Sequence, residues 1–113
     1  MSLHGQGLRA WLWQRLTSVY MTLFVVAALI TYALYAPLDY AGWRALLAHP
    51  AINVATAIFI LALLFHAGVG MRDILVDYVH SLAWRFTILI GLLVILLALG
   101  IWSMWILISV VAL

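Results

Sequence analysis

The chain has 113 residues, 70% of them hydrophobic and 7% charged, with a mean hydropathy of +1.28. A soluble domain of this size carries roughly 25% charged residues, so lipid rather than water is the solvent for most of this chain. The net charge of +2 is too small for a nucleic-acid surface, and no nucleic-acid partner is expected. The absence of cysteine excludes disulfides, thiolate zinc sites, cluster ligation and thiol catalysis within the chain.

Three apolar runs follow in order and predict helices at about 16–38, 51–78 and 86–112, the second being apolar to Met71 and continuing as helix to Tyr78. Each reaches the roughly 20 apolar residues that a spanning helix requires. The expected fold is therefore all-α: one integral membrane domain over 1–113, with three transmembrane helices. The first run, at about 23 residues, is longer than the apolar core of a cleaved secretory signal, and it reads as a genuine span. Pro37 and Pro50 bracket the first connection, which carries Asp39, Arg44 and His49. The second connection, from about Arg72 to Arg85, is the most polar part of the chain. Trp11, Trp13, Tyr35, Tyr40, Trp43 and Trp84 sit near the ends of the runs, where aromatic rings anchor helices at headgroup level.

Arginine placement sets the expected orientation. Arg9 and Arg15 precede or open the first span, Arg72 and Arg85 flank the second connection, and Arg44 alone lies on the other side. The excess of cations marks the cytoplasmic side. The N-terminus and the second connection are expected on the cytoplasmic or equivalent side, and the C-terminus on the outer side.

The second span carries the chemistry. It runs His66-Ala67-Gly68-Val69-Gly70-Met71-Arg72-Asp73 and on to Asp77-Tyr78. From Ala51, His66 is roughly 22 Å along a helix rising 1.5 Å per residue, so it lies at bilayer depth. An ionisable residue there is a functional-site hypothesis by default. At about 100° per residue, Gly70 lies roughly 40° from His66, and Asp73 and Asp77 return to within about 20°. A glycine one turn from an axial histidine lets a flat macrocycle approach the backbone, so this stripe suits a haem. A histidine hydrogen-bonded across a helix interface, with Gly68 and Gly70 permitting close packing, accounts for the same residues, and the spacing leaves both readings open.

Stoichiometry constrains the haem reading. A six-coordinate iron needs two axial ligands, while His4, His49 and His80 all lie outside the apolar runs. The second ligand would come from another chain. Two further readings have bland counterparts. Arg15 suits a haem propionate or a plain interfacial anchor. Tyr78 is able to donate a hydrogen bond to a quinone carbonyl, with Asp77 orienting it or relaying protons, or the two are an interfacial tyrosine beside a solvated carboxylate. Arg72-Asp73 reads as a partly solvated ion pair.

With these residues in place, the chain resembles the D-type hydrophobic membrane anchor of bacterial succinate dehydrogenase, respiratory complex II. The resemblance covers nearly the whole chain, and the run from His66 through Gly70-Met71 to Asp77-Tyr78 is its specific part. It implies His66 as one axial ligand of haem b, Tyr78 as hydrogen-bond donor to ubiquinone with Asp77 in support, and Arg15 near a propionate. It further implies a C-type partner anchor that supplies the other histidine, and docking of the soluble iron–sulfur and flavoprotein subunits. The C-type anchor itself carries Ser-x-x-His-Arg at the start of its first span. Here the corresponding residues are Trp11, Gln14 and Arg15, which favours the D type. The anchor of a menaquinone-linked fumarate reductase and a non-redox three-helix scaffold are the alternatives. A transporter fits poorly, since there is no internal repeat and no helix broken at the midplane.

Overall fold

The computed structural model describes residues 3–111, with side chains from Gly7 onward; the side chain of His4 and residues 112–113 lie outside it. Every regular element among the described residues is an α-helix: α1 (Leu3–Tyr35), α2 (Tyr40–Ala48), α3 (Pro50–Tyr78) and α4 (Leu82–Val111). Of these, α1, α3 and α4 are long and apolar enough to cross a membrane, and the protein is a multi-pass membrane protein. α1 begins at Leu3, well before its apolar run. Hydropathy marks the hydrocarbon-matched stretch, whereas backbone hydrogen bonding carries the helix beyond it.

The first connection is more ordered than its prolines suggest. α2 forms within it, opened by the Asp39 side chain, which accepts the Gly42 N–H at 2.7 Å and so satisfies one of the helix's orphan donors. A Cβ on Gly42 would lie 3.1 Å from that carboxylate oxygen and 3.0 Å from Leu38 Cδ2, so glycine lets the cap close. α3 follows at once with Pro50 in its first turn, where its missing N–H costs nothing.

α3 is the central element. It packs against α1 on one side and α4 on the other, and among the described residues α1 and α4 do not meet. On the α4 side, Gly68 lets Leu96 Cδ1 come within 3.1 Å of its virtual Cβ, and the buried Gly100 receives Leu64 Cδ1 in the same way. On the α1 side, the seam is aromatic. Phe24 stacks on Phe59 at 4.4 Å between centroids, Trp13 meets Phe65 edge-on at 6.3 Å, and the Tyr20 hydroxyl donates to the Ala55 carbonyl at 2.7 Å.

Polar side chains fasten both ends. Asn53 Nδ2 donates to the Leu47 carbonyl at 2.9 Å and to the Leu107 carbonyl at 3.0 Å, joining α2, α3 and α4. At the opposite end the Arg85 guanidinium donates to the Val79 and Val76 carbonyls at 2.9 to 3.3 Å. It caps the C-terminus of α3, where a cation complements the helix dipole.

The chain builds almost no core of its own. Only Leu75, Leu107 and Gly100 are buried among the described residues. Its accessible surface of 8583 Å² compares with about 6,200 Å² for a water-soluble monomer of this mass. Its radius of gyration of 17.5 Å compares with about 13 Å. Exposed Leu, Ile, Val and Trp side chains line all three long helices, a surface for lipid and neighbouring helices. Replacing Asn53 by Ala leaves the Leu47 carbonyl, in the unpaired last turn of α2, without a donor. The expected cost is about 1 kcal/mol, read as a lowered midpoint of thermal unfolding in detergent; an unchanged midpoint contradicts the role given to Asn53.

Candidate functional site around His66

His66 sits on the α1 side of α3, half-buried between the two helices. Its Nδ1 lies 3.2 Å from the Thr17 hydroxyl oxygen. The same hydroxyl donates back along its own helix to the Trp13 carbonyl at 2.8 Å and the Gln14 carbonyl at 3.0 Å. Thr17 and His66 are 49 residues apart, and the antiparallel packing of α1 on α3 brings them to one level. One turn from Thr17, the Gln14 amide oxygen is buried and has no hydrogen-bond partner among the described residues. Such an atom ordinarily costs about 1–3 kcal/mol.

The two glycines that follow His66 have different surroundings. Gly68 faces α4 and packs against Leu96, whereas a Cβ on Gly70 would meet nothing within 4 Å. Gly68 is therefore a helix-packing residue, and Gly70 leaves the backbone open one turn from the imidazole.

The structure does not gather the remaining candidates around His66. The Arg15 guanidinium lies over the Trp11 ring at 5.4 Å. Being two residues from Thr17, Arg15 is roughly 200° around the helix from it. Asp77 and Tyr78 are exposed at the end of α3, with Tyr78 at 78%, roughly 17–18 Å along the axis from His66. Asp77 shares the face of His66 by its spacing. Arg72 and Asp73 form an exposed ion pair at 2.9 Å, worth little in stability. Among the described residues no three His, Asp or Glu side chains converge to hold a metal.

An open groove of about 980 Å³ runs along the α3–α4 seam past Leu64, Gly68, Leu96 and Gly100. Its walls are almost wholly carbon, it does not include His66 or Thr17, and it offers little to orient a polar substrate. The polar chemistry lies across α3, on the α1 side. Sequence reasoning does not single out Thr17, because a lone threonine in an apolar run is ordinary.

A bundle of three membrane-spanning helices, with one hydrogen-bonded histidine between its first two spans, defines an integral membrane protein, and the comparisons with known proteins place it among membrane subunits. The family of succinate dehydrogenase/fumarate reductase transmembrane subunits matches residues 1–101, and the chain belongs to that family. It is similar to the succinate dehydrogenase hydrophobic membrane anchor subunit of Coxiella burnetii (strain RSA 493 / Nine Mile phase I), 33% identical over 76 residues. The matched stretch is 67% of this chain and 66% of that one, so the chain spans just under two thirds of its relative.

The contrast between the glycines predicts opposite outcomes. Gly68→Val overpacks the α3–α4 seam and costs about 1–3 kcal/mol. In the chain without any bound cofactor, Gly70→Ala adds a methyl group that meets no atom of the chain within 4 Å and is neutral or gains up to about 1 kcal/mol in helix propensity. Thermal unfolding of the two variants in detergent checks this; equal destabilisation contradicts the assignment of faces.

Proposed function

We propose that the chain is the D-type membrane anchor of a succinate:ubiquinone oxidoreductase in a bacterial inner membrane, and that His66 provides one axial ligand to a haem b shared with a C-type partner anchor. The observation that carries this reading is the His66–Thr17 contact at bilayer depth. With Nδ1 engaged by Thr17, Nε2 is the ring nitrogen left to bind iron. The residues present fit the group. The open backbone at Gly70 accommodates a flat ring against α3, and the iron's other ligand has to come from a neighbouring chain. Bound there, a haem b supplies a one-electron redox centre within the membrane.

The chain's own residues divide the remaining work. Tyr78 donates its phenolic hydrogen to a carbonyl oxygen of ubiquinone, and its exposure leaves it available to a pocket completed by partner subunits. Asp77 lies beside it at the aqueous edge of α3 and supports proton delivery, since quinone reduction takes up two protons with two electrons. Arg15 extends toward the membrane edge, where a guanidinium matches a propionate; to do so it exchanges its contact with Trp11. The iron–sulfur and flavoprotein subunits dock on the side that carries Arg9, Arg15, Arg72 and Arg85, which is cytoplasmic by the distribution of cations. Succinate oxidation belongs to those subunits. The family includes fumarate reductases as well; the similarity to a succinate dehydrogenase anchor favours the succinate-oxidising direction.

A reduced-minus-oxidised absorption spectrum of the purified complex tests the reading. His66→Ala is expected to abolish or strongly shift a b-type haem signal that the wild type displays, and an unchanged spectrum overturns the assignment. Tyr78→Phe removes one hydrogen bond and is expected to lower kcat/KM for ubiquinone roughly ten-fold. Succinate oxidation by an artificial acceptor should be unaffected, and wild-type quinone kinetics would contradict the role of Tyr78.

A further inference from the structure

We infer that Thr17 is the positioning residue for His66: its hydroxyl fixes which imidazole nitrogen carries the proton and so tunes the iron's reduction potential. The inference rests on the proposed haem ligation and goes beyond it, because it assigns a role to a residue of another helix.

The argument is one of proton accounting. The Thr17 hydroxyl has one hydrogen and three neighbours: the carbonyls of Trp13 and Gln14 and the Nδ1 of His66. The carbonyls only accept. The Trp13 carbonyl is the nearest of the three at 2.8 Å, against 3.2 Å for Nδ1. Elsewhere in the chain the same back-bond recurs: Thr22, Thr31, Thr56, Thr87 and Ser103 each donate to the carbonyl four residues earlier, at 2.6 to 2.8 Å. In a solvent that offers no hydrogen-bond partners, a helical hydroxyl places its hydrogen on the nearest free lone pair of its own backbone. Thr17 thereby keeps its oxygen lone pairs for His66, and Nδ1 is the donor in that contact. A neutral imidazole has one N–H, so Nε2 is left bare as a ligand. With the opposite polarity, Thr17 donating to Nδ1, the proton would sit on Nε2 and block coordination.

The bond also orients the ring. α1 and α3 are locked on either side of the contact by Trp13 against Phe65 and Phe24 against Phe59, so the hydroxyl is held at a fixed level. An N–H that donates to an oxygen makes the opposite nitrogen a stronger electron donor. That favours the oxidised iron and lowers its potential. Loss of such an outer partner typically costs about 10–100-fold in metal affinity.

The test is a redox titration of the purified complex carrying Thr17→Val, which keeps the shape and removes the hydroxyl, alongside Thr17→Ser, which keeps the hydroxyl. Thr17→Val is expected to bind haem at least about ten-fold more weakly and to raise the midpoint potential of what remains bound, with Thr17→Ser close to wild type in both. Thr17→Ala serves the same comparison if the valine variant does not assemble. A potential unmoved in Val and Ala, or moved equally in Ser, overturns the role of Thr17 while leaving His66 as ligand. A wild-type complex without haem overturns the ligation itself and this role with it.

Discussion

Hydrocarbon gives a polar group no partner, and the rest of the molecule follows from that constraint. Each backbone N–H and C=O must be satisfied within the chain, so the three spans are helical from end to end. Hydroxyls within the spans turn back onto their own helices. Among the described residues a few side chains reach across to another helix, and each does identifiable work. Asn53 ties three helices together at one end, and Tyr20 clasps α1 to α3. Thr17 meets His66. Of these, the last is the contact that joins a titratable side chain to a neighbouring helix.

Much of this is legible in the sequence, because the membrane imposes a coarse code. Run length and charge scarcity reveal the three spans, and the isolated position of His66 within one of them marks it as the candidate site. Other features are hidden for physical reasons. Between its prolines α2 reads as a loop; its nine residues are too few to carry a periodic signal, and its start depends on the Asp39 cap. Arg85 reads as a topological charge, whereas its guanidinium also caps α3 through a turn that only the folded chain brings together. Gly68 and Gly70 are indistinguishable by composition. Their separation of roughly 200° on the helix directs one to α4 and the other to open space. Thr17 is invisible because its importance lies entirely in the level at which α1 meets α3.

The geometry suits a subunit of a larger complex, as the family implies. A self-sufficient domain hides its apolar side chains, and this one displays them around all three spans. Its histidine has a partner for one ring nitrogen and, among the described residues, none for the other. Its tyrosine and aspartate stand exposed at the end of α3. The proposed assembly with a second anchor chain and two soluble subunits accounts for all three features together, with the exposed apolar surface covered by lipid and neighbouring helices.

The proposed ligation of iron by His66 is best tested by near-infrared magnetic circular dichroism of the oxidised complex, because the charge-transfer band distinguishes axial nitrogen from axial sulfur. A bis-imidazole band is expected in the wild type and an imidazole–thioether band in His66→Met. A bis-imidazole band that persists unchanged in His66→Met would contradict it.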